Sequence, residues 1–160
     1  MTLKTRIAWW MVICWTGFIF SFSLVPADAS SQQSQLVTRR IEPVYRQVEQ
    51  WLHLEPVSRD ILHHQVRKMA HGVLYLVLGI LMARALMLSK IPIKWGLLTV
   101  LGLALVDEGI QMWMPGRGSQ WQDVLIDTGA AWLGVGLWAK QAKNHFVSTT
   151  GRKIHSSWRR

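Results

Sequence analysis

The chain has 160 residues, half of them hydrophobic and only 17% charged, with ten Trp and a formal net charge of +9. That is one domain's worth of sequence, too apolar for an ordinary soluble domain. Most of the positive excess lies beside apolar runs rather than on one polar face, which excludes a nucleic-acid partner and points to anionic lipid headgroups.

The first predicted element is an apolar run from about 7 to 25, close to the ~20 residues that cross a bilayer core. Lys4 and Arg6 before it and Ala27-Asp28-Ala29 after it imitate a secretory signal with a cleavage site. The run exceeds the ~7–15 residues of a signal's apolar region, and Trp9, Trp10 and Trp15 make it bulky, so a retained anchor is expected. Cys14, the single cysteine, has no disulfide partner and reads as a small core hydrophobe.

Next comes a polar stretch opening with PADASSQQSQ, a flexible linker by composition. Ile41, Val44, Val48, Trp51 and Leu52 then recur at three- and four-residue steps, predicting an amphipathic helix at about 40–53 with Pro43 in its first turn. Its apolar face suits the outer membrane interface with Trp51 dipping toward the acyl chains, or the outer rim of the bundle itself.

Three further spans are predicted at about 69–88, 95–113 and 122–139, giving an all-α integral membrane protein of a single domain with four transmembrane helices. Lys and Arg without any acid fall at residues 1–6, near Arg84 to Lys94, and in the basic tail of 140–160. This bias places both termini in the cytoplasm and residues 27–66 outside, in a multi-pass protein of the bacterial cytoplasmic membrane.

Charged residues inside apolar spans are costly and commonly mark a working site. Lys68, His71, Tyr75 and Gly79 fall within about 60° of one face of the second span. Asp107, Glu108 and Gln111 lie near the outer end of the third. Asp123, Asp127, Ala130 and Gly134 form a stripe on the fourth, so the acids share the small-residue face along which membrane helices pack. One outer-leaflet pocket is therefore expected, with Arg117 above it on the turn-forming Pro115-Gly116-Arg117-Gly118-Ser119.

Two separated motifs then resemble the VanZ-like membrane proteins. KMAHGVLYLVLG at 68–79 is similar to that family's Lys-x-x-His-x-x-x-Tyr-x-x-Leu-Gly signature. Asp107-Glu108, Gln111, Pro115, Arg117, Ser119, Asp123, Asp127 and Gly129 follow its second signature, and SFSLVPA at 21–27 its looser first-span ending. The resemblance covers about residues 18–137. Many members carry Asn where this chain has Asp127, which leaves open whether that position acts through charge or only through hydrogen bonding. The founding member is associated with resistance to the glycopeptide teicoplanin, so the resemblance implies a cell-envelope protein with a bearing on glycopeptide susceptibility.

Arg67, Lys68 and Arg117 offer cations and fork-shaped donors for a phosphate or carboxylate. Tyr75, Gln111, Ser119 and Asp127 are further ligand-binding candidates, while His71, Asp107, Glu108 and Asp123 are the acid–base candidates. The set suits binding or handling of an anionic lipid or lipid-linked cell-wall precursor. An alternative is an enzyme acting on a lipid phosphate or glycan bond, with His71 or Glu108 as acid–base and Arg117 as anion clamp. No nucleophile elbow is present to favour it. A third reading is purely structural: Arg117 with Asp123, and Lys68 with Asp107 or Glu108, as ion pairs that fix helix register. His63 and His64 lack a known ligand spacing with His71 and Glu108, so no metal is expected. No glycine loop for a nucleotide occurs, and no cofactor is expected. The oligomeric state is left open.

Overall fold

The computed structural model describes residues 1–118 and 120–157, without the side chains of 145–157. Among these residues the chain forms five helices and no strand: α1 (Leu3–Ser23), α2 (Ala27–Trp51), α3 (Arg59–Ser89), α4 (Ile93–Met112) and α5 (Trp121–Ser157). Two of them, α1 and α3, are long and apolar enough to cross a membrane.

The helix ends follow local chemistry. Thr2 caps α1 by accepting from the Thr5 N–H at 3.3 Å. The helix stops ahead of Pro26, whose ring disfavours helical geometry at Val25. Ser58 caps α3 in the same way. That helix closes on Lys90 in the left-handed conformation, with Pro92 two residues on, a common stop arrangement. Gly116 turns the chain between α4 and α5 at φ 74°, where a Cβ would also meet Ala27 at 3.0 Å, so glycine is required twice over.

The stretch 26–35, a linker by composition, is helical from Ala27 onward, with Pro26 as the N-cap of an α2 that runs for 25 residues. Ala and Gln are good helix formers, and Ser34 and Thr38 satisfy their hydroxyls on the carbonyls four residues back. Tertiary contacts then hold it. The Ala27 N–H donates to the Pro115 carbonyl at 3.2 Å, and Ser34 meets His63 of α3 at 3.0 Å. Pro43 consequently sits in the interior of α2 rather than its first turn, where its missing N–H removes one helical bond. At the far end, Glu49 accepts from the Val57 N–H at 2.9 Å and from Arg46 at 2.7 Å, while Arg59 of α3 pairs with Glu42 at 3.2 Å.

Helix α3 touches every other helix and forms the axis of the bundle. Its Tyr75, Leu78, Met82 and Leu86 make the core with Val100 and Ala104 of α4, Ala131 of α5, and Ala8, Val12 and Ile19 of α1. The α3–α5 crossing is tight because glycines face backbone: a Cβ at Gly79 would overlap the Ala131 carbonyl, and one at Gly134 the Leu76 carbonyl. This is small-residue packing of the kind membrane helices use. Trp15 and Trp9 of α1 bind the Leu74 carbonyl and the Ser89 hydroxyl of α3, both at 2.9 Å, and fix the α1–α3 register. Cys14 is exposed on the outer face of α1 and is not a core residue. That outer surface is apolar on several helices, with Trp10, Ile13, Leu98, Leu105, Leu125 and Leu133 all exposed.

Candidate functional site

The polar residues gather at one end of the bundle because α1 and α4 finish where α3 and α5 are beginning. Ser23 closes α1, Asp107, Glu108 and Gln111 stand in the last turns of α4, Lys68 and His71 come from the first half of α3, and Asp123 and Asp127 from the first turns of α5. Helical periodicity alone puts Asp123 and Asp127 on one face, four residues apart.

Two layers result. In the lower one Asp107 is 1% exposed and accepts from the Ser23 hydroxyl and from Gln111 Nε2, the latter at 3.3 Å. Glu108 accepts from the backbone N–H of Gln120, so its carboxylate clasps the α4–α5 connection to the end of α4. Tyr75 is fully buried and its hydroxyl reaches the Leu103 carbonyl at 3.5 Å, placing it under the pocket rather than in its wall. In the upper layer Lys68 Nζ lies 3.1 Å from Asp123 Oδ1, and His71 Nδ1 lies 3.8 Å from Asp127 Oδ2. The second distance is too long for a direct hydrogen bond.

Between the layers and the connection is a cavity of about 170 Å³ lined by Arg67, Lys68, His71, Arg117, Asp123 and Asp127, among others. Pockets for drug-sized ligands measure about 300–1,000 Å³, so this space suits a headgroup or an ion rather than a whole ligand. Arg117 donates from Nη1 to the Ser23 carbonyl at 3.4 Å, and its Nε is buried without a partner. Burial first, then the neighbouring Arg67 cation, holds the Arg117 guanidinium below its ordinary proton affinity, against the pull of Asp107 and Glu108. A guanidinium stays charged regardless, so the cavity presents a cation short of an anion.

The pairings differ from the simplest expectations. Lys68 pairs with Asp123 rather than with Asp107 or Glu108, and Arg117 binds a carbonyl rather than Asp123. Ser119 lies outside the described residues, as do the structures of Trp158 to Arg160 at the end of the basic tail. Ser23 and Gln120 belong to the site although neither was a candidate in the sequence, and His64, weighed there only as a metal ligand, lines the cavity. Ser23 had a signal, since it falls in the first-span ending SFSLVPA.

Chemically, the arrangement holds the imidazoles of His64 and His71, the buried carboxylates of Asp107, Glu108 and Asp127, and the cations of Arg67, Lys68 and Arg117 around a small space. The cations stand at its mouth, and His71 stands against Asp127 inside it. No curated protein and no solved structure matches the chain significantly. The VanZ/LLP1 family model matches residues 8–143, covering all four predicted spans and every described residue of the site. The chain belongs to the VanZ/LLP1 family.

Proposed function

We propose that this is a multi-pass protein of the bacterial cytoplasmic membrane whose pocket holds the phosphate of an anionic lipid or of a lipid-linked cell-wall precursor at the outer leaflet. The observation that carries the reading is the convergence of Arg67, Lys68 and Arg117 on one headgroup-sized cavity at the end of lipid-length helices. Phosphate is the anion that such donors, one of them a fork, bind well.

Four spans follow from taking α1, α3, α4 and the first part of α5 through the bilayer. The exposed Leu98 and Leu105 of α4, and Leu125, Leu133 and Leu137 of α5, favour lipid around them. At 31 residues α3 is about 46 Å long, beyond the ~30 Å core, so its first turns, ending near Lys68, stand at headgroup level. Lys4, Arg6, Lys90, Lys94, Lys140 and Lys143 lie at or beyond the opposite ends of these helices, which makes that side cytoplasmic. Helix α2 then lies outside, with Leu36, Val44 and Trp51 exposed toward the interface. The Lys and Arg excess of residues 140–160 attracts anionic headgroups of the inner leaflet.

The test is binding in nanodiscs of phosphatidylcholine doped with phosphatidylglycerol or with undecaprenyl phosphate, and with inorganic phosphate in solution. Saturable binding of one lipid, weakened by Arg117→Gln and Lys68→Gln, supports the reading and identifies the source of the phosphate. Binding of inorganic phosphate alone, or none, refutes it. A shift of teicoplanin susceptibility on deletion in the native bacterium, reversed by wild type and not by Arg117→Gln, extends the reading to glycopeptides.

A second reading is favoured by the placement of His71 beside Asp127: His71 acts as general acid or base on a phosphate ester held by Arg117. Release of phosphate from the bound lipid by wild type and not by His71→Ala selects the enzyme over the binder.

A further inference from the structure

We infer that His71, Asp107 and Asp127 form a binding site for one divalent metal cation at the floor of the cavity. Each residue comes from a different helix, α3, α4 and α5, and each offers a ligand atom within 4.8 Å of the other two. Bonds of about 2.0–2.2 Å from imidazole nitrogen and carboxylate oxygen place ligand atoms roughly 3 to 4.4 Å apart, so a small side-chain rotation closes the set on an ion.

The electrostatics favour a cation at this point. Asp107 and Asp127 are 1% and 3% exposed, and among the described residues neither has a Lys or Arg partner. Two buried carboxylates side by side repel, and burial of each unpaired charge costs several kcal/mol. A divalent cation answers both costs at once.

Independent of the acidic pair, Asp127 Oδ1 is buried with no hydrogen-bond partner, on a residue that lines the cavity. Asp107, by contrast, is held in place by Ser23 and Gln111. Donors that orient a carboxylate in this way are the outer-shell partners usual at metal sites. Three protein ligands leave coordination positions open toward the cavity, as in sites where the ion also binds a ligand. One nitrogen with two carboxylates suits an ion that tolerates mixed donors, and Mn2+ is a direct probe of it. The site does not depend on the lipid reading, because the cation is measured without lipid. If both hold, a phosphate oxygen takes an open position while Arg117 and Lys68 hold its neighbours.

The experiment is titration of the full-length protein in detergent with MnCl2 after stripping with EDTA, followed by loss of the free-ion signal in electron paramagnetic resonance. One ion per chain is expected. His71→Ala and Asp127→Asn weaken binding by more than the roughly 10–100-fold that losing an outer-shell partner costs, and Gln111→Ala falls within that range. Helix content and elution volume establish that each variant is folded. Should the ligand variants fail to fold, a wild-type melting temperature that rises with Mn2+ and falls back with EDTA, with a smaller rise at the same Mn2+ concentration in Gln111→Ala, carries the same test. No uptake by wild type at millimolar Mn2+, or uptake unchanged in His71→Ala and Asp127→Asn, overturns the site.

Discussion

Replacing Gly134 by Ala adds one methyl group, but the atoms it meets belong to the backbone. An added Cβ runs into the Leu76 carbonyl oxygen and lies 3.1 Å from both the Leu76 carbonyl carbon and the Ile80 nitrogen. Gly79→Ala does the same from the facing helix, with the Ala131 carbonyl carbon and Cα at 2.7 and 2.9 Å. No rotamer change relieves either contact, so α3 and α5 must move apart by something near 1 Å. Overpacking of this kind costs about 1–3 kcal/mol. At roughly 2–4 °C per kcal/mol for a chain of this size, each variant should melt about 2–12 °C below wild type by circular dichroism in detergent. The double variant should cost less than the two single costs added, because the first separation makes room for the second. Gly102→Ala and Gly136→Ala, where a Cβ meets nothing within 4 Å, are the controls and should stabilise slightly through helix propensity. Wild-type melting of both Gly79→Ala and Gly134→Ala would refute the close α3–α5 crossing. The placement of His71 against Asp127 depends on that crossing.

Other consequences are as direct. Ser23→Ala removes one of two donors to the buried Asp107 and should cost about 1–3 kcal/mol, read as a lower melting temperature at neutral pH; an unchanged value would mean that Asp107 is not held by α1. The Val57 N–H, and then the Arg46 guanidinium, holds the Glu49 carboxyl below the ordinary carboxylate range. A depressed folded value means that this contribution is complete above about pH 4.3 and is lost as pH falls through the lower folded value. Proteolysis between Leu52 and Ser58 should therefore quicken below about pH 4 in wild type. Glu49→Gln should already be cut faster at pH 7, and equal rates for the two at pH 7 would count against the clasp. Asp123→Asn frees Lys68 in the cavity and should tighten phosphate binding, measured by the same nanodisc titration; weaker binding would mean that the pair itself is part of the receptor.

Much of the site was legible because two regularities carry it. Helix periodicity places Lys68, His71 and Tyr75 on one face and Asp123 and Asp127 on another, and the cost of charge in an apolar run explains why those faces meet. Distribution along a helix says nothing of the partner chosen across it, so the Lys68–Asp123 pair and the Arg117–Ser23 contact came only from the fold. Nor does it separate wall from floor, and Tyr75 proved to lie below the cavity. The start of α2 was illegible for another reason. Ser- and Gln-rich composition is shared by loops and by solvated helices, and docking of Ala27 on Pro115 and of Ser34 on His63 decides between them. Helices α3 and α5 extend past their apolar runs because hydrogen bonding continues where hydropathy stops: α3 starts at Arg59 rather than near 69, and α5 runs to Ser157 rather than ending near 139. Cys14 on the outside of α1 reflects a surface that is itself apolar, so burial does not follow from hydrophobicity in this chain.

The account's central claim is that the pocket between α3, α4 and α5 holds a lipid phosphate, and the most direct measurement is mass spectrometry of lipid retained by protein purified gently from its native membrane. Wild type should carry one class of phosphate-bearing lipid at up to one molecule per chain, and folded Arg117→Gln should lose it. Wild type bearing only the bulk lipid mixture, or Arg117→Gln retaining the same lipid at the same level, would contradict the claim.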